Sequence, residues 1–246
     1  MVLLLGFEGS VVDECVLGIA GGFDVSKLKW EEHRGKSNIW SYFAALYSNF
    51  CFPDFYFNFS LLGGQNNYDT KRYIQFSGVD RAAESNHWAI NLSTHFDGVY
   101  DYVLDSIHHI RPFLEVDYSY LSENGYKEKN AQGLNLTVKD KRSHVLKNEV
   151  GVRLQSVIQG ESSCVLPMIW LSWVWEKAFR SKYSCIFENE NEGFHVIGYR
   201  RPWNRASTGL EFDYTYKNFD AAFKYSLDVG NEFISHTGEM NFSWNF

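Results

Sequence analysis

Hydrophobic and polar residues alternate along most of this chain with a period of two. Near the C-terminus Met240, Phe242, Trp244 and Phe246 fall on one face, and Glu239, Asn241, Ser243 and Asn245 on the other. Just upstream, Phe219, Ala221, Phe223, Tyr225, Leu227 and Val229 alternate with Asp220, Ala222, Lys224, Ser226 and Asp228. Before that, Leu210, Phe212, Tyr214 and Tyr216 alternate with Glu211, Asp213, Thr215 and Lys217. Such a period marks a strand with one face in an apolar medium. The last two runs meet at Lys217-Asn218, which predicts a tight hairpin there.

The pattern recurs upstream. Trp88, Ile90, Leu92, Phe96, Tyr100 and Tyr102 share a face, as do Ile110, Pro112, Leu114, Val116, Tyr118 and Tyr120, opposite Arg111, Glu115, Asp117 and Ser119. Leu146, Val150, Val152, Leu154 and Ile158 oppose Lys147, Glu149, Arg153 and Gln155. Weaker runs cover Glu14 to Trp30, Asn38 to Phe50 and Phe55 to Leu62. The stretch from Cys164 to Ala178 is apolar on both faces and has no readable orientation.

The total is about eleven strands, many of ten or more residues, where soluble strands have about five or six. A strand of ~9–11 residues tilted at ~45° crosses the hydrocarbon core of a bilayer. The expected fold is all-β, an antiparallel up-and-down transmembrane barrel with rings outside and charges inside. Phe223, Tyr225, Leu227, Phe242 and Trp244 are expected on the exterior, with Asp220, Lys224, Asp228, Asn241 and Ser243 inside. The candidate pore-lining residues are Glu149, Arg153, Asp213, Asp220, Lys224 and Asp228. Trp88, Tyr100 with Tyr102, Trp40 with Tyr42, and Trp244 with Phe246 sit near strand ends, where interfacial girdles belong. Connections differ in length: Asn49–Asp54, Asp105–His109 and Lys217–Asn218 read as short turns. Gln65–Ser85, Ser122–Gln132 and Phe179–Arg205 read as long polar loops. Short turns on one rim and long loops on the other suit an outer-membrane barrel.

Composition agrees. Of 246 residues 17% are aromatic, with 19 Gly and only 4 Pro, which suits long uninterrupted strands with glycine at turns and kinks. A net charge of −7 argues against nucleic acid as a partner, since phosphate binding needs a basic face. Lys and Arg are scattered, and no polybasic cluster suggests an anionic lipid surface. The longest apolar run, Cys164 to Trp175, contains Pro167 and is short of the ~20 residues of a spanning helix. The start, MVLLLGFEG, has no basic segment and meets Glu8 too early for a signal peptide.

Several stretches together resemble the C-terminal translocator (β) domain of bacterial autotransporters, the type V secretion family. They are VLGIAGGFDVS (Val16–Ser26), SYFAALYSNF (Ser41–Phe50), IRPFLEVDYSYL (Ile110–Leu121), HVLKNEVGVRL (His144–Leu154) and the aromatic C-terminus. They occur in family order and cover nearly the whole chain. The resemblance implies a twelve-stranded barrel in the bacterial outer membrane, part of a longer precursor, that anchors an N-terminal passenger and assists its export. Its implied partners are outer-membrane lipid, the barrel-assembly machinery and that passenger. It also implies that the last strand is an assembly signal, carried here by Phe242, Trp244 and Phe246. LLLGFEG resembles the family's second strand, so the expectation is one domain, 1–246, lacking the first strand, pore helix, passenger and signal peptide. The barrel should then be open, with edges at Leu3–Gly9 and Met240–Phe246.

Chemistry is sparse. No enzyme activity, metal or cofactor is expected. His108 and His109 are strand neighbours that point to opposite faces, so one metal ion held by both is disfavoured. GIAGG (Gly18–Gly22) is followed by no helical pattern, which favours glycines that ease strand curvature over a phosphate loop. Cys15, Cys51, Cys164 and Cys185 lack zinc spacing and read as small buried or lipid-facing side chains. The sequons at Asn58, Asn91, Asn135 and Asn241 lie mostly within strands and read as chance. Two other functions remain open: a free-standing porin or adhesin-like barrel, and an outer-membrane enzyme with rim carboxylates and histidines brought together by the fold.

Overall fold

The structure is a computed structural model, and it describes residues 2–12, 14–180, 182–196 and 203–244. In chain order the strands are β1 (Val2–Val12), β2 (Cys15–Lys29), β3 (Gly35–Cys51), β4 (Phe55–Phe76), β5 (Val79–Tyr100) and β6 (Tyr102–Val103). Next come β7 (His108–Glu123), β8 (Tyr126–Lys127), β9 (Leu136–Val138), β10 (Lys141–Ser156), β11 (Ile158–Gln159) and β12 (Ser163–Arg180). The last are β13 (Tyr183–Phe187), β14 (Gly193–Val196), β15 (Asn204–Tyr216), β16 (Phe219–Gly230) and β17 (Phe233–Trp244).

One antiparallel sheet runs β1-β2-β3-β4-β5-β7-β10-β12-β15-β16-β17, with β6 and β11 as short additions on β7 and β12. Every neighbour on this path is the next long strand in sequence, so the topology is an up-and-down meander. The hairpin turn at Lys217-Asn218 is two residues long, with Lys217 at φ 52°. Among the described residues β1 pairs only with β2 and β17 only with β16. Along an antiparallel path of eleven strands the first and last run in the same direction. A strand lying between these two edges would run antiparallel to both.

The register aligns side chains in rows across the outer face. One row is Leu17, Ser48, Phe59 and Phe96; the next is Ile19, Leu46, Leu61 and Thr94. Then follow Gly21, Ala44, Gly63 and Leu92; Phe23, Tyr42, Gln65 and Ile90; and Val25, Trp40, Asn67 and Trp88. A stack of rings bounds the band at the short-turn rim, with Phe50–Phe57 and Phe52–Phe55 centroids each 4.7 Å apart. Tyr42, Trp40 and Trp88 bound it at the other. The interval from Phe57 to Asn67 is about ten residues, the length that crosses a hydrocarbon core. All backbone groups inside the band can pair along the ladder except at the two edges, as lipid demands.

Register also orients β12, which the sequence left unreadable. Leu171 is 65% exposed on the outer face, whereas Val174 is 1% exposed and turned inward. The long loops are the main correction. Gln65–Ser85 is no loop: β4 and β5 continue as a regular ladder to Phe76↔Val79, closed by Ser77-Gly78 with Gly78 at φ 77°. Beyond the band polar residues occupy both faces, so hydrophobic alternation stops while the strands continue. Ser122–Gln132 and Phe179–Arg205 also contain strands, which join into a second sheet, β14-β13-β9-β8.

Candidate functional site: a charged lumen and its cap

Because side chains alternate, every outward ring fixes an inward neighbour. The inward side chains of β7, β10, β12, β15, β16 and β17, with Tyr56 of β4, enclose a cavity of about 590 Å³. Its lining is charged, with Glu115, Lys147, Glu149, Arg153, Asp213 and Lys224 among it. Asp97, Glu115 and Glu149 stand directly opposite one another on β5, β7 and β10. Like charges so placed repel, and cations lie against them. Arg153 bonds Glu115, approaches Asp97 at 3.7 Å and stacks on Phe113 at 4.0 Å. Lys147 reaches Glu149 at 3.1 Å and Asp117 at 3.4 Å, and Ser172 Oγ donates to Glu149 at 2.6 Å.

Glu149, Arg153, Asp213 and Lys224 thus share one cavity. Asp228 lies apart from its lining, 3.5 Å from Arg205, which also binds Glu176 at 2.8 Å. Asp220 lies near the short-turn rim, where Ser243 Oγ donates to it at 3.3 Å. The cavity also draws on Arg111, Glu115, Lys147, Glu211 and Glu239, each next to an apolar residue in the sequence. Of the aromatic C-terminus, Phe242 is 70% exposed and packs with Phe219, 6.4 Å between centroids. Trp244 also stands against Phe219, at 5.8 Å. Phe246 lies outside the described residues. Tyr225 donates or accepts a 2.6 Å bond with His236, and Phe223 and Leu227 share its face.

At the long-loop rim the second sheet packs on the inner side of the β4–β5 extension. His87 lies between the rings of Tyr68 and Tyr126, at 4.8 and 4.1 Å, with Nε2 3.2 Å from Glu123. Tyr183 donates to the same carboxylate at 3.2 Å, and Lys141 lies 3.4 Å over the Tyr183 ring. Burial pushes the Tyr126 phenol up to about 12 and raises Tyr183 as well. Burial alone would raise Glu123, but the bonds from His87 and Tyr183 hold it below the usual carboxylate range. Arg72 grips Glu128 bidentately, at 3.0 and 2.6 Å, and donates to the Leu134 carbonyl at 3.0 Å. This cluster escaped the sequence because most of its members, Tyr68, Arg72, Glu123, Tyr126, Glu128 and Tyr183, come from segments read as loops.

His108 and His109 separate as strand neighbours should. His108 Nδ1 bonds Asp105 at 3.0 Å and His109 Nδ1 bonds Asp101 at 2.9 Å. Among the described residues no group of three His, Cys, Asp or Glu could hold a metal ion, and the four cysteines are unpaired. The glycines at 18 and 22 answer close approach. A Cβ on Gly18 would meet the Tyr47 ring at 2.1 Å, and one on Gly22 the Leu3 carbonyl at 2.2 Å.

The autotransporter beta-domain family profile matches residues 1–226. The chain belongs to this family. The chain is 21% identical over 257 aligned residues to outer membrane protein A of Rickettsia conorii, and 21% identical to that of Rickettsia rickettsii. Each match covers 98% of this chain but only 12% and 11% of the relative. Two solved structures share the fold. The translocator domain of autotransporter NalP from Neisseria meningitidis has a TM-score of 0.69 at 13% identity, covering 100% of this chain and 80% of that one. The β domain of the Bordetella autotransporter BrkA has a TM-score of 0.67 at 16% identity, covering 98% and 87%. The all-β autotransporter domain is a component of the bacterial outer membrane.

Proposed function

We propose that this domain is an outer-membrane translocator, a barrel that anchors an autotransporter and assists export of its N-terminal passenger. The observation that carries this reading is the charged lumen inside an apolar band one bilayer tall. A lumen of paired charges gives an extended chain a polar path with no lipid contact, and it offers no covalent chemistry of its own. In this reading residues 1–246 act as one β-domain, and the seam between β1 and β17 takes a further strand. Glu149, Arg153, Asp213, Asp220, Lys224 and Asp228 line the route, and Phe242, Trp244 and Phe246 are the signal read by the assembly machinery. Adding an extended strand to a sheet edge supplies main-chain bonds for affinity and pockets for alternate side chains.

The test uses the complete precursor in cells. Deleting residues 1–246 should abolish protease accessibility of the passenger at the cell surface while synthesis continues. Deleting Phe246, or adding a charged tail after it, should reduce heat-modifiable protein in the outer membrane, whereas Phe246→Tyr should assemble. A passenger exposed equally well without the domain would refute the export role. Steady ion conductance by the domain alone in planar bilayers would instead favour the porin-like alternative.

A further inference from the structure

Lysines and arginines are dispersed in the sequence, but the sheet register gathers some of them. Lys29 on β2 stands directly opposite Lys36 on β3, and Lys36 directly opposite Lys71 on β4. By alternation all three share the outer face with Trp40, Tyr42 and the lipid-facing rows. Like charges directly opposite across strands are destabilising. Within this row the nearest relief comes from one end, where Lys71 binds Glu84 at 2.6 Å. Among the described residues Lys29 and Lys36 have no ion-pair partner. In a chain of net charge −7, three aligned cations above a lipid belt point to an anion supplied from outside the protein.

Below them the same strands carry a groove. It lies at mid-belt where Gly21, Ala44 and Gly63 form one row, walled by Leu5, Leu46 and Leu92. Packing within the protein does not require glycine there. A Cβ on Gly63 would meet nothing nearer than Leu92 Cδ1 at 4.0 Å, and one on Gly21 nothing nearer than the Phe43 carbonyl at 3.4 Å. This is the opposite of Gly18 and Gly22, whose space is already filled. Gly63 and Lys71 are separated by about 26 Å along the strand, or roughly 19 Å of height at a 45° tilt. That is close to the depth of one leaflet, counting its head group.

We propose that the outer face of β2–β4 binds a single phosphate-bearing lipid of the outer leaflet, its head group on Lys29, Lys36 and Lys71 and an acyl chain in the groove over Gly21, Ala44 and Gly63. The inference rests on the outer-membrane location and not on the export role, so either can fail alone. The phosphate oxygens relieve the lysine repulsion, while Trp40 and Tyr42 flank the lipid at the interface, where amphipathic rings belong.

The test places the full chain in nanodiscs of phosphatidylethanolamine containing a few per cent bis-phosphorylated lipid A, with dephosphorylated lipid A in parallel. After transfer to neutral detergent, native mass spectrometry counts the lipid retained, and heat-modifiable mobility reports folding. The wild-type chain should retain the phosphorylated lipid and release the dephosphorylated one. The triple substitution Lys29→Gln, Lys36→Gln, Lys71→Gln should weaken retention roughly 100-fold, at about fivefold per lysine. The corresponding triple Lys→Arg variant should retain it. Gly63→Leu, which fits the free space, should fold and lose the lipid. Equal retention of dephosphorylated lipid, or by the triple Gln variant, would overturn the head-group site. Undiminished retention by Gly63→Leu would overturn the acyl groove and leave a phosphate contact alone. Should the triple Gln variant not fold, the wild-type chain against the two lipids decides the head-group half and Gly63→Leu the other.

Discussion

The hairpin of β4 and β5 passes through two environments, and its two halves obey different rules. From Phe55↔Tyr100 to Asn67↔Trp88 its outer face carries rings and aliphatic side chains while its inner face carries Asn58, Asp97 and His95. From Asp69↔Asn86 to Phe76↔Val79 the ladder is just as regular, yet polar residues occupy both faces. The backbone does not distinguish the halves; the solvent does. Within lipid the side chains must sort by face and every backbone group must pair. In water either face tolerates polarity, and order comes instead from the Arg72–Glu128 pair and the Tyr68–His87–Tyr126 stack.

The sharpest way to break this contrast is a charge on the outer face at two heights. Leu61→Arg, at mid-belt, should destabilise the folded domain in vesicles by about 2–4 kcal/mol. Asn86→Arg, on the same face beyond the belt and opposite Asp69, should change it by less than about 0.5 kcal/mol. Urea titration in phosphatidylcholine vesicles, read by gel mobility, measures both. Equal costs would mean that the band is not the lipid surface.

Inside the belt, Arg153→Met should come next. It leaves Asp97 and Glu115 opposed without their shared cation, at a cost of about 1–3 kcal/mol given partial hydration. Adding Glu115→Gln to that variant should recover most of the loss, because it removes the repulsion that the arginine relieved. Failure of the second change to rescue would show that Arg153 acts through its packing on Phe113 instead.

Above the belt, Arg72→Met should release the cap locally, by about 1–2 kcal/mol. Hydrogen exchange would show it as faster amides in Tyr126–Lys127, Leu136–Val138 and Tyr183–Phe187, with the belt strands unchanged. Slower folding or lost protection throughout β4 would mean that the cap and the barrel unfold as one unit.

This difference also explains which parts of the molecule were readable in advance. Strands with one face in lipid announce themselves, so Leu210–Tyr216, Phe219–Val229 and the turn at Lys217-Asn218 were visible from alternation alone. Glu149, Arg153, Asp213 and Lys224, which line one cavity, are likewise set among alternating apolar residues. The extension Asp69–Glu84 was hidden because its pattern lacks a hydrophobic period. The Tyr68–His87–Tyr126 stack and the lysine row were hidden because their members are far apart in sequence and meet only through register. Cys164–Ala178 failed for another reason: Trp170 and Val174 face inward yet are as apolar as their outward neighbours.

The smallest predicted effect lies at the opposite rim, in the turn between β6 and β7. Asp105 Oδ1 accepts the amides of Ile107 and His108, each at 2.8 Å, and His108 Nδ1 lies 3.0 Å from the same carboxyl. The Ile107 amide first, then the His108 side chain and amide, lower the Asp105 pKa to about 2. An unfolded aspartate titrates near ~3.9. A depressed carboxylate stabilises its turn fully above that value and loses the contribution as pH falls through the folded one. The window is therefore about pH 4 down to about pH 2. Because the group is fully exposed, the effect should remain within the turn and leave the barrel's melting unchanged. Amide exchange of Ile107 and His108, corrected for intrinsic rates, should rise across that window in the wild-type domain and be pH-independent in Asp105→Ala. A rise that persists in the variant would assign the acid sensitivity of this rim to another group, with Asp101 beside His109 and Arg111 the next to substitute.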